Sequence, residues 1–256
     1  MKISLSCIAF ALASFSLYVA SGGAAAAELK VFSTTALTEI WHELKPKFEA
    51  RGHKLELVLQ PSGALGKRIS GGETGDVIVS TTAGVEALQK SGKIVSGTTR
   101  VLASSGMGVA VLKGAPKPDI STPEAFKKTM LAAKSVAYSD PAGGGASGAV
   151  FVKILKDLGI ADQVNAKAKL GRGVPNADFV LKGESDIAIQ QIPELMMTPG
   201  VDIVGPFPPA LQKVTGFATA VLSSSRNPAA ARELVEFLAS PETLALLKSR
   251  GFDVKQ

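Results

Sequence analysis

The chain has 256 residues and a formal net charge of +6, from 28 lysines and arginines against 22 aspartates and glutamates. The charges are dispersed and aromatic residues make up only 5% of the chain, which argues against nucleic-acid binding. With two histidines and one cysteine, Cys7, the sequence excludes a multi-histidine metal site, a zinc finger and a disulfide framework. We therefore expect no metal and no cofactor, and the small positive surplus favours encounter with anions.

The first 27 residues have the pattern of a secretory signal peptide. Lys2 precedes a long run of apolar and small residues, and the alanines at 24–27 offer a cleavage site before Glu28. An uncleaved membrane anchor is the alternative, because the run approaches the length of a membrane span. The pattern predicts export to the periplasm and a mature chain of residues 28–256.

From Leu29 onward, strand and helix patterns alternate. Short apolar strands at 29–33, 54–59 and 76–80 are each followed by a segment in which apolar residues recur at helical spacing. This order predicts a parallel sheet with helices on both faces, in which ligands meet the carboxyl ends of the strands.

The middle of the chain predicts a second lobe. Two extended segments, 98–104 and 107–112, are positioned to leave the first lobe, and 217–222 is positioned to return to it. The sequence therefore predicts an α/β protein of two doubly wound lobes joined by a two-strand hinge. Residues 28–106 plus 216–256 form the first lobe in this prediction, and residues 107–215 form the second.

Three strand-to-helix turns carry small hydroxylated residues or glycines. Such turns present free backbone N–H groups at helix N-termini, where the partial positive charge favours an anion. A helix cap alone explains any one of them, but three turns at strand carboxyl ends favour one shared site. The candidate ligand-binding residues in these turns are Thr34, Thr35, Ala36, Ser62, Gly63, Gly145, Ala146, Ser147 and Gly148.

Three polar side chains outside these turns are further candidates. Arg172 lies between two glycines and can offer two donors to a carboxylate, while Gln190 and Gln191 follow a predicted strand at its carboxyl end. His42 and His53 are expected at the solvent-exposed surface. No nucleophile elbow or Walker loop is present, which argues against a hydrolase and a nucleotide-binding protein.

Several segments together resemble type II periplasmic solute-binding proteins, and within them the molybdate-binding-protein-like group. The resemblance implies the type II periplasmic binding protein fold, a small anionic ligand and an ABC-type transporter permease as partner. The segments that carry it are VFSTTAL at 31–37, PSGALGKRISGGETGDVIVST at 61–81, YSDPAGGGASG at 138–148, KILKDLGI at 153–160 and SPETLALLKSRGF at 240–252.

The resemblance also implies where a ligand binds. The hydroxyl that the family offers from its first turn is missing here, because Ala36 occupies that position. The second-turn hydroxyl maps to Ser62 or Gly63, and the backbone contact of the second lobe falls near Ser147. The tyrosine that closes the molybdate site has no counterpart near Ile189. These departures favour a small organic acid over molybdate as the ligand.

A second function stays open. Aconitate isomerase, an exported enzyme that moves an allylic proton in a tricarboxylate, is similar to the same group. Such chemistry needs a base beside the substrate, and Asp140, Glu73 or a lysine in the cleft are the candidates. A buried titratable side chain beside the ligand would separate an isomerase from a receptor, which needs only hydrogen-bond donors.

Overall fold

The computed structural model describes residues 26–254, so the predicted signal peptide lies outside the described residues except for Ala26 and Ala27. The strands are β1 (Glu28–Thr34), β2 (Lys54–Gln60), β3 (Val77–Thr81), β4 (Arg100–Leu112), β5 (Val136–Ser139), β6 (Ala168–Gly171), β7 (Ile187–Gln191), β8 (Val201–Pro206) and β9 (Val214–Val221). The helices are α1 (Thr38–Glu49), α2 (Ser62–Ser70), α3 (Thr82–Lys90), α4 (Pro123–Ala132), α5 (Ala146–Asp157), α6 (Ala161–Asn165), α7 (Ala177–Leu181), α8 (Ile192–Met196), α9 (Pro228–Leu238) and α10 (Pro241–Ser249). Among residues 26–254, no helix has the length and apolar character needed to cross a membrane.

One sheet runs through the molecule in the order β2-β1-β3-β9-β4-β7-β5-β6, with β8 paired to β4. The predicted parallel pairing is present at both ends, between β1, β2 and β3 and between β5, β6 and β7. The two central strands, β4 and β9, run antiparallel to their neighbours. Within each end, the parallel strands direct their carboxyl ends to a shared edge, where a ligand site is expected. The two ends run in opposite directions, because three antiparallel pairings separate β3 from β7.

Strand β4 connects the two halves of the sheet. The prediction of separate strands at 98–104 and 107–112 was wrong, because Ser105 and Gly106 stay extended by pairing with Thr215 and Val214 of β9. Beyond Gly106, β4 changes partner and pairs with β7 and β8. The return strand begins at Val214, three residues before the predicted start.

Two large groups of buried apolar side chains lie on either side of this change of partner. The buried members of the first come from residues 29–103 and 217–252, and those of the second come from residues 107–207. The prediction of two α/β lobes rests on the same division of the chain. The lobe boundaries at 106 and 215 stay a prediction.

His53 is the surface residue that the sequence placed wrongly. It is only 3% exposed, and its ring stacks on Phe48 at a centroid distance of 5.2 Å. Its Nε2 atom lies 3.2 Å from Oε2 of Glu233, and the N–H of Ala27 donates to its Nδ1. A polar residue in a predicted turn was buried here because a carboxylate and a backbone amide satisfy both ring nitrogens.

Two helix glycines provide a matched test of this packing. A Cβ atom on Gly148 of α5 would overlap the carbonyl oxygen of Ser139, whereas one on Gly66 of α2 meets nothing within 4 Å. Gly148→Ala should therefore lower the free energy of unfolding by about 1–3 kcal/mol, since the backbone must shift. Gly66→Ala should raise it by about 0.5–1 kcal/mol, because alanine favours the helix. Urea unfolding measures both, and changes of equal sign would contradict the close approach of α5 to β5.

Candidate functional site

A small polar cavity lies between the two halves of the molecule, at the carboxyl ends of β1, β3, β5, β6 and β7. Its volume of about 40 Å³ corresponds to the space of about three water molecules. All candidate residues from the sequence line it except Gly63 and Gly148. The lining residues are Thr34, Thr35, Ala36, Pro61, Ser62, Thr81, Ser139, Asp140, Gly143, Gly145, Ala146, Ser147, Gly171, Arg172, Gly173, Val174, Gln190, Gln191, Glu194 and Phe217.

Gly63 instead joins the two halves across this cavity. Its N–H donates to the carbonyl oxygen of Gly144 at 3.2 Å, so this amide is not free for a ligand. A Cβ atom on Gly144, which has φ of +85°, would lie 2.6 Å from the backbone nitrogen of Ala64. Position 144 therefore requires glycine, and a Cβ atom on Gly63 would lie 3.0 Å from Cα of Gly144, which is a tight contact. We call this approach the cross-cleft contact. Gly148 likewise fails to line the cavity, because it packs its backbone against β5.

Helices α2 and α5 point their N-termini at the cavity from opposite sides. Their N-cap residues are Pro61 and Gly145, and neither supplies a side-chain oxygen to the first-turn N–H groups. In α3, by contrast, Oγ1 of Thr81 accepts a hydrogen bond from the N–H of Gly84 at 3.2 Å. In α2 the missing side-chain cap leaves the N–H of Ser62, because those of Gly63 and Ala64 donate to the carbonyls of Gly144 and Pro61. The N-terminus of α5 has no side-chain cap, and both helix ends offer donors and positive partial charge to an anion.

The Ser62 hydroxyl is the clearest unmet hydrogen-bonding group of the site. Ser62 is 7% exposed, and within the described part of the chain its Oγ has no hydrogen-bond partner. A buried hydroxyl without a partner costs about 1–3 kcal/mol, so such groups are rare without a reason. Because Ser62 lines the cavity, a ligand oxygen is the partner that this hydroxyl can reach.

A chain of hydrogen bonds fixes the wall formed by the second half of the molecule. Oγ of Ser147 lies 3.1 Å from Oγ of Ser139, which also accepts from Nδ2 of Asn176 at 3.0 Å. The same Nδ2 donates to the carbonyl of Ile189 at 2.9 Å. Asn176 is fully buried, so it ties β5, β7 and the start of α5 together without lining the cavity.

Arg172 reaches the cavity with one side of its guanidinium held. Its Nε donates to Oδ2 of Asp140 at 2.7 Å, while the N–H of Ala142 donates to Oδ1. The Arg172 guanidinium and then the Ala142 amide hold the pKa of Asp140 below its usual range. Asp140 is therefore an ionised anchor for Arg172, and the terminal nitrogens of Arg172 remain for a ligand.

The sequence did not single out Glu194, which lines the cavity as a second carboxyl group beside Asp140. It lies in the first turn of α8, and burial raises its pKa to about 7. Nε2 of Gln190 donates to its Oε1 at 2.7 Å, and together with the Gln191 backbone amide this opposes the rise. Glu194 follows the two predicted glutamines by a few residues, so its place beside the strand end was the available signal.

The bases considered from the sequence fit the site less well. Glu73 lines no cavity beside the cleft, and its bonds to Arg68 and Lys30 lower its pKa to about 2. Asp140 is engaged with Arg172 as described. Among residues 26–254, no lysine lines the small cavity or the space next to it. Glu194 is thus the carboxyl group at the cavity whose pKa is raised to about 7.

Gln191 differs from Gln190 in what it can offer. Its Oε1 accepts a hydrogen bond from the hydroxyl of Ser105 on β4. Because that oxygen is engaged, the group that Gln191 presents to a ligand is its NH₂, a pair of donors. This role agrees with the expectation from the sequence, which stays a prediction.

A larger space adjoins the small cavity and shares Glu194 with it. This side cavity has a volume of about 430 Å³, and Gln190, Thr35, Gly173 and Val174 also belong to both spaces. Glu194 therefore stands at their boundary. The residues that line only the side cavity are Thr38, Glu39, Pro175, Asp178, Met197, Thr198 and Pro199.

The raised pKa of Glu194 makes a prediction about stability. The folded protein keeps this proton up to about pH 7, whereas an unfolded glutamate loses it near pH 4.5. The free energy of unfolding should therefore fall as pH rises from 4.5 to 7, by about 3 kcal/mol at most from this group. In Glu194→Gln this loss should be absent, so the free energy of unfolding of the variant should rise relative to that of the parent between pH 5 and pH 8. Denaturant unfolding at both pH values measures this, and parallel curves would contradict it.

Comparisons with known proteins agree with the fold and the family resemblance. The chain from residue 29 to 253 matches the family described as bacterial extracellular solute-binding protein. A Pseudomonas protein named aconitate isomerase is 35% identical over 230 residues, which cover 87% of this chain and 86% of that protein. The molybdate-binding protein of Rhodobacter capsulatus is 25% identical, over 90% of this chain and 89% of its own.

A solved structure has the same architecture. The periplasmic molybdate-binding protein of Azotobacter vinelandii aligns with a TM-score of 0.73 at 21% identity, covering 89% of this chain and 100% of that one. At that identity, the likeness concerns the fold, and it confirms the predicted type II periplasmic binding protein architecture. The chain belongs to the bacterial extracellular solute-binding protein family.

Proposed function

We propose that this protein binds a small polycarboxylate between its two lobes and moves an allylic proton in it, as an aconitate isomerase. The observation that carries this proposal is Glu194, a carboxyl group at the cavity whose pKa is about 7. A receptor needs donors for its anion and gains nothing from a carboxylate beside it. The 35% identity to a protein named aconitate isomerase supports the same reading.

Binding of the anion is assigned to donors from both lobes. The first lobe contributes the N-terminus of α2 and the free hydroxyl of Ser62. The second contributes the N-terminus of α5, the free side of Arg172 and the NH₂ of Gln191. Each hydrogen bond to a charged ligand is worth about 1.5–3 kcal/mol net, so several suffice for micromolar affinity after the ordering cost.

The volumes of the small cavity and of the side cavity determine how a tricarboxylate would be oriented in the site. The small cavity has room for about three water molecules, so it takes one carboxylate and the adjoining carbon. The remainder of the substrate extends past Glu194 into the side cavity. Entry requires the lobes to separate, because the cross-cleft contact of Gly63 and Gly144 closes the space.

The chemistry requires one base and no redox partner. The Glu194 carboxylate takes a proton from the methylene carbon next to a carboxylate, and that C–H electron pair forms a new double bond to the central carbon. The electron pair of the old double bond moves towards the carboxylate at its far end, which becomes an enediolate. Glu194 then returns the proton to the carbon at that far end, where the same electron pair forms the new C–H bond. Arg172 and the helix amides stabilise the extra negative charge on the substrate in between. A base with a pKa near the working pH suits both steps.

A solute receptor that serves a transporter is the second candidate. The unpaired Ser62 hydroxyl and the two uncapped helix ends are what such a receptor requires. Closure would then present a joined surface to an ABC-type permease in the membrane. Membership of an extracellular family supports a periplasmic location for either function.

A screen of candidate ligands distinguishes an oxyanion from a polycarboxylate ligand, and an isomerase from a receptor. Thermal shifts of the mature protein with molybdate, tungstate, sulfate, phosphate, citrate and cis- and trans-aconitate report binding to the folded state. We expect aconitate to raise the melting temperature, and incubation followed by NMR to show the other isomer. A shift with molybdate alone would overturn the proposal, and a shift with aconitate without conversion would favour the receptor.

Removal of the carboxylate at position 194 tests the base directly. Glu194→Gln should lower the turnover of aconitate by roughly 10²–10⁴-fold, because the amide cannot accept the proton. Binding of trans-aconitate, measured by calorimetry, should be retained. The matched control is Glu73→Gln, which changes a carboxylate outside both cavities and should keep the parent turnover. Equal turnover of parent and Glu194→Gln would contradict the assignment.

The Ser62 hydroxyl gives a test of binding. Ser62→Ala should raise the dissociation constant for trans-aconitate roughly 10- to 100-fold, since it removes a hydrogen bond to a charged ligand. The free energy of unfolding should not fall, because the hydroxyl has no partner within the described chain. Calorimetry and urea unfolding measure the two quantities. A less stable variant with unchanged affinity would make Ser62 a structural residue.

A further inference from the structure

The Gln190 side chain is held at both ends of its amide. Its Oε1 accepts from the backbone N–H of Asn176 at 2.8 Å, and its Nε2 donates to Oε1 of Glu194 at 2.7 Å. Gln190 is 4% exposed, so water does not substitute for either partner. Although Gln190 lines the cavity, both polar atoms of its amide are already engaged with protein.

The backbone N–H of Asn176 determines the orientation of the Gln190 side-chain amide. If the side chain turned over, its NH₂ would meet a backbone donor and its oxygen would meet a carboxylate, so both hydrogen bonds would be lost. Asn176 itself is anchored through Nδ2, which donates to Ser139 and to the carbonyl of Ile189. The orientation of Gln190 is therefore determined by buried backbone and not by a ligand.

We propose that Gln190 is a positioning residue for Glu194, which holds one carboxylate oxygen so that the other faces the ligand cavity. This inference rests on the proposed function, in which Glu194 exchanges a proton with the substrate. It separates the two neighbouring glutamines, because the NH₂ of Gln190 donates to Glu194, whereas Gln191 is held through its oxygen by Ser105. The charged groups that share the two cavities with Glu194 are Asp140, Arg172, Glu39 and Asp178.

The same substitution at the two glutamines tests this difference. Methionine is close to glutamine in size and lacks its polar atoms, so Gln190→Met removes the hydrogen bond to Glu194 while Gln191→Met leaves it. The titration of Glu194 is followed in the ligand-free protein by NMR of side-chain ¹³C-labelled glutamate, with the signal assigned by its loss in Glu194→Gln. We expect the midpoint in Gln190→Met to rise by roughly one pH unit, since a donor that favours the charged form is lost. The midpoint in Gln191→Met should match the parent.

The second measurement is kinetic and uses aconitate as substrate. Gln190→Met should lower kcat, move the acidic limb of its pH profile upward and leave KM within about twofold. Gln191→Met should instead raise the dissociation constant for trans-aconitate roughly tenfold or more. If the parent protein converts no aconitate, the proposed function fails, and the NMR titration still decides the role of Gln190.

Two results would overturn the inference. One is an unchanged Glu194 midpoint in Gln190→Met, and the other is weaker ligand binding in that variant without a change in midpoint. Gln190→Met leaves the backbone N–H of Asn176 unpaired and could therefore fold poorly. In that case Gln190→Glu replaces it as the test variant. That variant keeps the acceptor and places two carboxyl groups together, so their titration should split into two steps with one midpoint above the parent value.

Discussion

The cross-cleft contact between Gly63 and Gly144 is the constraint on which the rest of the site depends. Two backbone segments from different lobes approach closely enough for an N–H to C=O hydrogen bond of 3.2 Å. Any side chain at position 144 would collide with the start of α2. This approach brings the N-termini of α2 and α5 to one cavity and limits its volume to about 40 Å³. The buried donors of this cavity act through a lower dielectric than in solution, whereas the Arg172 side chain is 77% exposed and is screened by water.

In the proposed reaction, electrostatics within that cavity favour transfer of a proton to Glu194. Burial already disfavours its charged form, and an anionic ligand beside it disfavours that form further. When a proton leaves the substrate for Glu194, negative charge moves away from the buried carboxyl group. It moves to the end of the site where Arg172 and the uncapped helices supply positive potential. The same arrangement that makes Glu194 costly as an anion therefore helps it to accept a proton.

The sequence predicted the fold from local patterns and the site only in outline. Strand and helix periodicities and caps such as Thr122 and Ser240 identified most elements, because each depends on neighbours a few residues away. The partner change within β4 was missed, since it depends on pairing with β9 more than a hundred residues later. Turn residues such as Ser62 and Ser147 were singled out because three turns of this kind follow strand carboxyl ends, although a helix cap alone explains any one of them.

The roles of charged residues were harder to predict, because burial and pairing decide them. Asp140, Glu73 and Glu194 are chemically similar in the sequence, yet the first two are ionised partners of arginine and the third is enclosed beside a cavity. A position just after a strand is the available local signal, but Asp140 and Glu194 share it, so it does not separate the ionised partner of arginine from the carboxyl group with the raised pKa. Gln190 and Gln191 are adjacent and identical, but alternation along β7 directs one to Asn176 and the other to Ser105. In the proposed function, a receptor scaffold gains a proton-transfer group through Glu194 in the first turn of the five-residue helix α8, and the fold fixes the amide of Gln190, which donates to that carboxyl group.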